Sequence, residues 1–232
     1  MKEYTGDKIR NVAIVGHGGA GTTSLTEALL YRSGSISRMC KVEDGQTTTD
    51  FEPEEIKRGV SVSATLAPVE WRDVKINFID TPGFADFVAE VKGAFRAVDS
   101  VLIVVSATSG VQIGTEQCWK LAEEAGLPRL IFVNKMDREN ADYDNILNNL
   151  RAKIGKEVLP LELPLGKEEN FCGVIDVFNM KAYRGNGNGA DEIEVPDDMK
   201  AWVEDAHSKM VEAAVEADDA VMERYLNGED IS

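Results

Sequence analysis

The stretch IVGHGGAGTTS, Ile14 to Ser24, decides how the rest of the chain is read. A strand-like run, Val12 to Val15, opens into a turn dense in glycine, and a helix-like segment, Thr23 to Arg32, leaves it. In that order, strand, turn and helix gather consecutive main-chain N–H groups and the positive end of a helix around an anion, and glycine lets the backbone come close. Gly16, His17, Gly18, Gly19, Ala20 and Gly21 supply the turn. Thr22 stands where a phosphate-binding loop of this spacing carries lysine. Thr23 is placed for its hydroxyl to reach Mg²⁺, and Ser24 follows in the first helical turn. Alone, the pattern reads equally well as turn chemistry.

Two later turns give it company. DTPG, made of Asp80, Thr81, Pro82 and Gly83, follows the strand KINFI. It sets a carboxylate at a strand end, where it can hold a Mg²⁺-bound water, and leaves the Gly83 N–H for a γ-phosphate. NKMD, made of Asn134, Lys135, Met136 and Asp137, follows LIFV. A carboxylate there accepts two hydrogen bonds from the N1 and 2-amino edge of guanine, a pair of donors that adenine lacks. Each turn by itself is ordinary loop punctuation. Three in order, each at the carboxyl end of a predicted parallel strand, read as one nucleotide site.

The 232 residues suit one large domain, or one with an insertion. Against 25 basic side chains stand 41 acidic ones, and the net charge of −16 excludes a broad electrostatic footprint for nucleic acid, though not docking on one local patch. The excess is concentrated from Asn186 to Ser232, with 14 acidic and 3 basic residues. Cys40, Cys118 and Cys172 form no CxxC pair, so free thiols in a reducing cytoplasm are expected rather than disulfides or a zinc knuckle. No basic and apolar leader opens the chain, and runs such as VLIVV at Val101 are too short to cross a bilayer. The expectation is a soluble cytoplasmic protein with no membrane contact.

Strand-length runs begin at Asn11, Val74, Ser100 and Arg129, and helix-like segments cover Thr23 to Arg32, Phe84 to Val98 and Gly114 to Ala125. This alternation predicts an α/β fold, a mostly parallel sheet flanked by helices. Short alternating segments from Val158 to Tyr183 predict a small, mostly antiparallel element, with GNGNG at Gly185 to Gly189 as a flexible hairpin tip or loop. Met199, Val203, Ala206, Met210, Ala213, Ala217, Val221 and Tyr225 recur at helical steps, which predicts one or two amphipathic helices with an acidic outer face. The expected domains are residues 1–157, the nucleotide-binding core, and 158–232, an inserted α+β subdomain.

The sequence resembles the N-terminal part of bacterial elongation factor G, the translocation GTPase, and within that family the elongation factor G-like paralogues. The resemblance is carried by RNVAIVGHGGAG, DFEPEEIKRGVSVSATLAPVEW, INFIDTPGFADFVAEVKGAFRAVDS, SGVQIGTEQCWKLAEEAGLPRLIFVNKMDRENADY and FCGVIDVFNMKAY, and runs from residue 9 to the end. It implies a P-loop NTPase G domain that binds GTP and GDP with Mg²⁺ and hydrolyses GTP under stimulation by the ribosome. It also implies that Arg58 to Val62 belongs to switch I, with Ser61 at the place of the family's Mg²⁺-binding threonine. Thr23, Ser61 and, through water, Asp80 would then hold the metal; Asn134 and Asp137 would select the base, with Lys135 packed beneath it. The segment from about Val158 corresponds to the subdomain inserted in this factor's G domain, whose acidic helices meet a ribosomal stalk protein. No direct, sequence-specific nucleic-acid contact is expected of this chain.

The departures from the family are as informative. Thr22 replaces the loop lysine, and loss of that charge-assisted contact costs about 1.5 to 3 kcal/mol, or roughly ten- to a hundredfold in affinity. Phe84 stands at the position of the family's water-orienting histidine; loss of such a group typically costs about 10² to 10⁴ in rate, so hydrolysis is expected to suffer more than binding. The family's fifth nucleotide motif is expected after the inserted subdomain, and the chain reaches Ser232 before it, as a fragment or truncated product whose sheet lacks a strand would. Two alternatives stand beside the GTPase: a pseudo-GTPase that binds the ribosome with weak or no turnover, and a ribosomal protection factor of the tetracycline-resistance type. His17 is expected to matter through its backbone, and His207, Asp86 and Glu90 to be solvated.

Overall fold

Strand β1 (Ile9–Gly16) is buried from Ala13 to Gly16 on both of its faces, as a strand between two helical layers must be. The glycine turn leads from it into α1 (Thr22–Arg32). A long connection holding the short helix α2 (Pro53–Arg58) leads to β2 (Thr65–Trp71) and β3 (Val74–Asp80). Then follow α3 (Val88–Phe95), β4 (Ser100–Ser106), α4 (Ile113–Glu124) and β5 (Arg129–Asn134). The structure, a computed structural model, describes residues 2–155, 158–187, 189–216 and 219–227.

The chain packs as two compact units, Met1–Asn134 and Lys135–Ser232. This division reflects packing and does not address the expected insertion boundary after residue 157, which is a matter of family descent.

In the first unit the strand order is β2-β3-β1-β4-β5, parallel throughout except for the antiparallel β2–β3 pair. Register pairs Ile14 with Asp80, Gly16 with Val104 and Ser106 with Asn134, so the carboxyl ends of four strands lie along one edge of the sheet. Side chains alternate across the sheet. Ile14, Phe78 and Val104 pack with Ala20 and Leu30 on the α1 face, while α3 and α4 bury Val91, Ala94, Phe95, Cys118 and Ala122. The segment expected to be helical from Phe84 to Val98 starts as a 3-10 turn, Ala85–Phe87, and its regular helix ends at Phe95.

Neither β2 nor α2 was expected. Pro68 interrupts the run that forms β2, which tolerates it as an edge strand where no ladder N–H is needed inward. Burial still alternates, with Ala67 and Val69 buried and Leu66 and Pro68 exposed.

The second unit begins with Lys135 and its first helix is α5 (Tyr143–Lys153), capped by the Asp142 carboxylate, which accepts from the Asn145 N–H at 3.0 Å. An antiparallel meander follows: β6 (Glu162–Leu165), β7 (Gly173–Asp176), β8 (Lys181–Gly185) and β9 (Ala190–Ile193), with α6 (Lys200–Glu216) and α7 (Asp219–Leu226) after it. The expected antiparallel element and the β8–β9 hairpin at GNGNG are both present; Asn188 at its tip lies outside the described residues. Leu163, Leu165, Ile175, Val177 and Ala182 form a core with Val203 and Ala206 of α6, and Tyr143 stands edge-on to Trp202 with ring centroids 6.1 Å apart. Of the expected helical stripe, Ala213 is exposed and Val215 buried in its stead, and Ala217 lies outside the described residues. His207 is not solvated: its Nδ1–H donates to the Val177 carbonyl at 2.9 Å.

Candidate functional site

The turn between β1 and α1 keeps its shape because neighbouring groups fill the space that side chains would need. Gly19 and Gly21 have φ of 81° and 101°, left-handed values that glycine adopts without strain. A Cβ on Gly16 would stand 2.8 Å from the Val104 carbonyl oxygen, and one on Gly83 would stand 2.8 Å from the Gly18 nitrogen. The backbones of the two turns therefore touch, with no room for any other residue at either place. The Asn134 amide closes the third side: its Nδ2 lies against Gly21 and donates to the Ala20 carbonyl at 2.9 Å. Asn134 thus stands as a brace for the loop, a placement its motif alone did not predict. His17 acts through its ring as well as its backbone, since its Nδ1 accepts from the Gly114 N–H, in the first turn of α4, at 3.3 Å. Ala20 is buried, Gly19 is exposed, and Ser24 is exposed in the first turn of α1.

Asp80, Thr81 and Pro82 are buried beside this loop. Thr81 fixes its turn with two bonds to the Ile14 carbonyl, from its N–H at 3.1 Å and its hydroxyl at 2.9 Å. Phe84 lies 46% exposed with its ring over Gly18, where an added Cβ would come within 3.0 Å of the ring carbons. Hydrocarbon therefore occupies the approach to the loop from that side.

Three expected metal-site residues converge. The Thr23 and Ser61 hydroxyls are 3.1 Å apart although 38 positions separate them in sequence. Asp80 Oδ2 accepts from the Thr49 hydroxyl at 2.8 Å. Burial pushes the Asp80 carboxyl up to about 7, and nearby Asp50 adds to the rise, against the opposing Thr49, Thr23 and Thr22 hydroxyls. Asp50, also buried, is raised by burial and by Glu55, with the Ser61 hydroxyl opposing. Asp80 Oδ1, Asp50 Oδ1 and Thr47 Oγ1 are buried and have no hydrogen-bond partner among the described residues. Unpartnered oxygens next to hydroxyls, with two crowded carboxylates, fit a hard divalent cation such as Mg²⁺. Among the described residues no group of three or more His, Cys, Asp or Glu is placed to hold a metal ion; the oxygens gathered here are two carboxylates and hydroxyls. Thr47, Thr49 and Asp50 went unnoticed in the sequence because they belong to no strand-end turn; in the run TTTD these three are buried and Thr48 is exposed.

Lys135, Met136 and Asp137 open the second unit. Lys135 has a φ of 63°, Met136 is buried with its carbonyl accepting from the Glu168 N–H at 3.1 Å, and Asp137 is exposed, 3.9 Å from Arg138. Glu90, expected on a solvated helix face, is half-buried and accepts from the Ala64 N–H at 3.0 Å, whereas Asp86 is exposed.

Residues 7–223 match the family described as the elongation factor Tu GTP binding domain. A crystal structure of a protein from Thermus thermophilus is similar to this chain, with a TM-score of 0.93 and 44% sequence identity over 98% of this chain and 34% of that one. The chain thus spans about a third of the length of that relative.

Proposed function

Because the chain belongs to the family of the elongation factor Tu GTP-binding domain, as an elongation factor G-like G domain, we propose that residues 16–24 hold the phosphates of GTP and GDP and that Thr23, Ser61 and Asp80 hold Mg²⁺. Translational GTPases make up this family, and guanine-nucleotide binding is its common property. Of the main-chain N–H groups from Gly18 to Thr23, that of Ala20 donates to the His17 carbonyl at 2.9 Å and shapes the turn, while the others surround the phosphates, and the Gly83 N–H faces the terminal one. Asn134 keeps that cradle open by holding the Ala20 carbonyl away from it. Asp137 reads the guanine edge and Lys135 packs beneath the ring. Bound at this site, Mg²⁺ would offset phosphate charge. The observation that carries the reading is the 3.1 Å meeting of Thr23 and Ser61 beside an Asp80 oxygen with no partner.

Titration with fluorescent GDP and GTP tests it. Saturable binding that weakens when Mg²⁺ is chelated is expected, and absence of saturation at high micromolar nucleotide would remove the reading.

The reaction we assign is hydrolysis of GTP to GDP and phosphate at a step of the ribosome cycle in the cytoplasm, with translocation the first candidate. Exposed Glu204, Asp205, Glu212 and Glu216 on α6 suit a basic surface on a ribosomal stalk protein. Binding to purified stalk protein that falls steeply with salt is the expected result.

A second reading has its own observation. Phe84 lies over Gly18 and has no atom to accept a hydrogen bond from an attacking water, so the domain holds nucleotide with little or no turnover. Phosphate release measured with ribosomes separates the two, since turnover far above the ribosome-free rate is expected only of the GTPase. A ribosomal protection role is tested by the same assay run with tetracycline-stalled ribosomes.

A further inference from the structure

We propose that Glu27 and Glu55 are positioning residues: two buried carboxylates, on α1 and α2, that clasp main-chain N–H groups of residues 40–63 and thereby hold Ser61 on Thr23. The proposal rests on the metal-site reading above, but the clasp itself is a separate structural claim.

Glu27 is 2% exposed and Glu55 1% exposed, yet both face main chain rather than a cationic side chain. Glu27 Oε1 accepts from the Cys40 N–H at 3.2 Å and its Oε2 from the Thr48 N–H at 2.9 Å. Glu55 Oε2 accepts from the Glu52 N–H at 3.0 Å, and its Oε1 takes both the Val62 and Ser63 N–H groups, at 3.0 and 3.2 Å. The bonds bracket the site. Thr48 immediately precedes Thr49, which bonds Asp80, and Val62 immediately follows Ser61, which meets Thr23.

A buried carboxylate is stable only where its lone pairs are filled, and N–H groups that bond an ionised acceptor are held about twice as strongly as by a neutral one. Glutamine cannot replace either side chain, because its –NH₂ end would meet an N–H donor where an oxygen is required. Every contact of the clasp is within the protein. The segment carrying Thr49, Asp50 and Ser61 is therefore seated before any phosphate arrives, and the donor set is preorganised.

Hydrogen exchange followed by mass spectrometry on the nucleotide-free chain is the test. In the unsubstituted protein the Cys40, Thr48, Val62 and Ser63 amides are expected to exchange far more slowly than an open chain; exchange at the open-chain rate would overturn the clasp without any variant being made. In Glu27→Gln, the Cys40 and Thr48 amides should exchange at least about tenfold faster through local opening, with β1 and β4 unchanged. Glu55→Gln reads the same effect at Val62 and Ser63, and it serves if Glu27→Gln loses its fold by circular dichroism. Unaltered exchange in a folded variant would overturn the proposal. The Mg²⁺ concentration needed for half-maximal nucleotide binding should rise about tenfold in both variants. If no nucleotide binds even to the unsubstituted chain, the metal-site reading fails while the exchange arm still decides the clasp.

Discussion

At Thr22 the loop is missing a charge but keeps its backbone. Thr22 is buried, its carbonyl accepts from the Thr26 hydroxyl at 3.0 Å, and its own hydroxyl stands within reach of Asp80. Two carboxylates, Asp50 and Asp80, crowd the metal position proposed above, so on that proposal an incoming triphosphate would depend on main-chain dipoles and a cation. Thr22→Lys should tighten GDP and GTP binding by roughly ten- to a hundredfold in a fluorescence titration. Unchanged affinity would mean that the absent ammonium is not the limiting defect. Phe84→His is the complementary change: it returns a hydrogen-bond acceptor to the face of Gly18, and phosphate release with ribosomes should rise by about 10² or more. A rise in affinity without turnover would place the defect elsewhere in the turn. The strand-end residues of this site were legible because Gly16, Asp80 and Asn134 each end a strong apolar run. Asp50 and Glu27 were not, since a carboxylate in a loop and another on a helix carry no spacing signal and acquire meaning only when the fold buries them.

Elements were legible in proportion to their share of the core. β4 and β5 are built on continuous apolar runs, β1 on one from Val12 to Val15, and β3 on the apolar-rich stretch VKINFI, and the structure forms them where those stretches lie. β2 hid behind Pro68, and α2 is one short helix set by Pro53 and a reciprocal capping pair, Glu52 and Glu55, rather than by an apolar stripe. The β2–β3 turn shows the same mismatch of residue and backbone. Arg72 and Asp73 have φ of 47° and 62°, the two-residue turn that strand twist prefers, but built without glycine and with an arginine in the first left-handed position. The left-handed conformation costs about 1 kcal/mol for such a residue. Replacing the pair by Asn and Gly should therefore raise unfolding free energy by about 1 kcal/mol, read as a shift in the denaturant midpoint at constant slope. The exposed contact of Lys2 with Asp73, at 3.8 Å, is worth little and its loss should not mask the gain.

On the scale of the whole molecule, the acidic balance and the open edge of the first sheet pull in opposite directions. A net charge of −16 keeps copies apart, and no helix of the described residues is long and apolar enough to cross a membrane. Yet β5 ends the strand order, and among the described residues no strand pairs with its outer edge. Leu130 is 51% and Phe132 38% exposed, in register with Leu102 and Val104 on the next strand, so a bare backbone ladder and an apolar strip coincide. The sequence alternation announced a buried strand here, and periodicity carries no notice of which strand lies outermost. Edge strands of this kind pair with one another unless a charge blunts them. At low salt the repulsion between copies should keep the chain monomeric. Adding salt shortens the range of that repulsion to about 8 Å near 0.15 M, less than the thickness of one layer, and association through β5 should then appear as a mass that climbs with protein concentration in light scattering. Phe132→Lys should abolish the climb and leave the unfolding free energy within about 0.5 kcal/mol of the unsubstituted chain, as a change on an exposed face does. A variant that associates as readily as the original would show that contact runs through another surface, and one that unfolds would show that Phe132 belongs to the core.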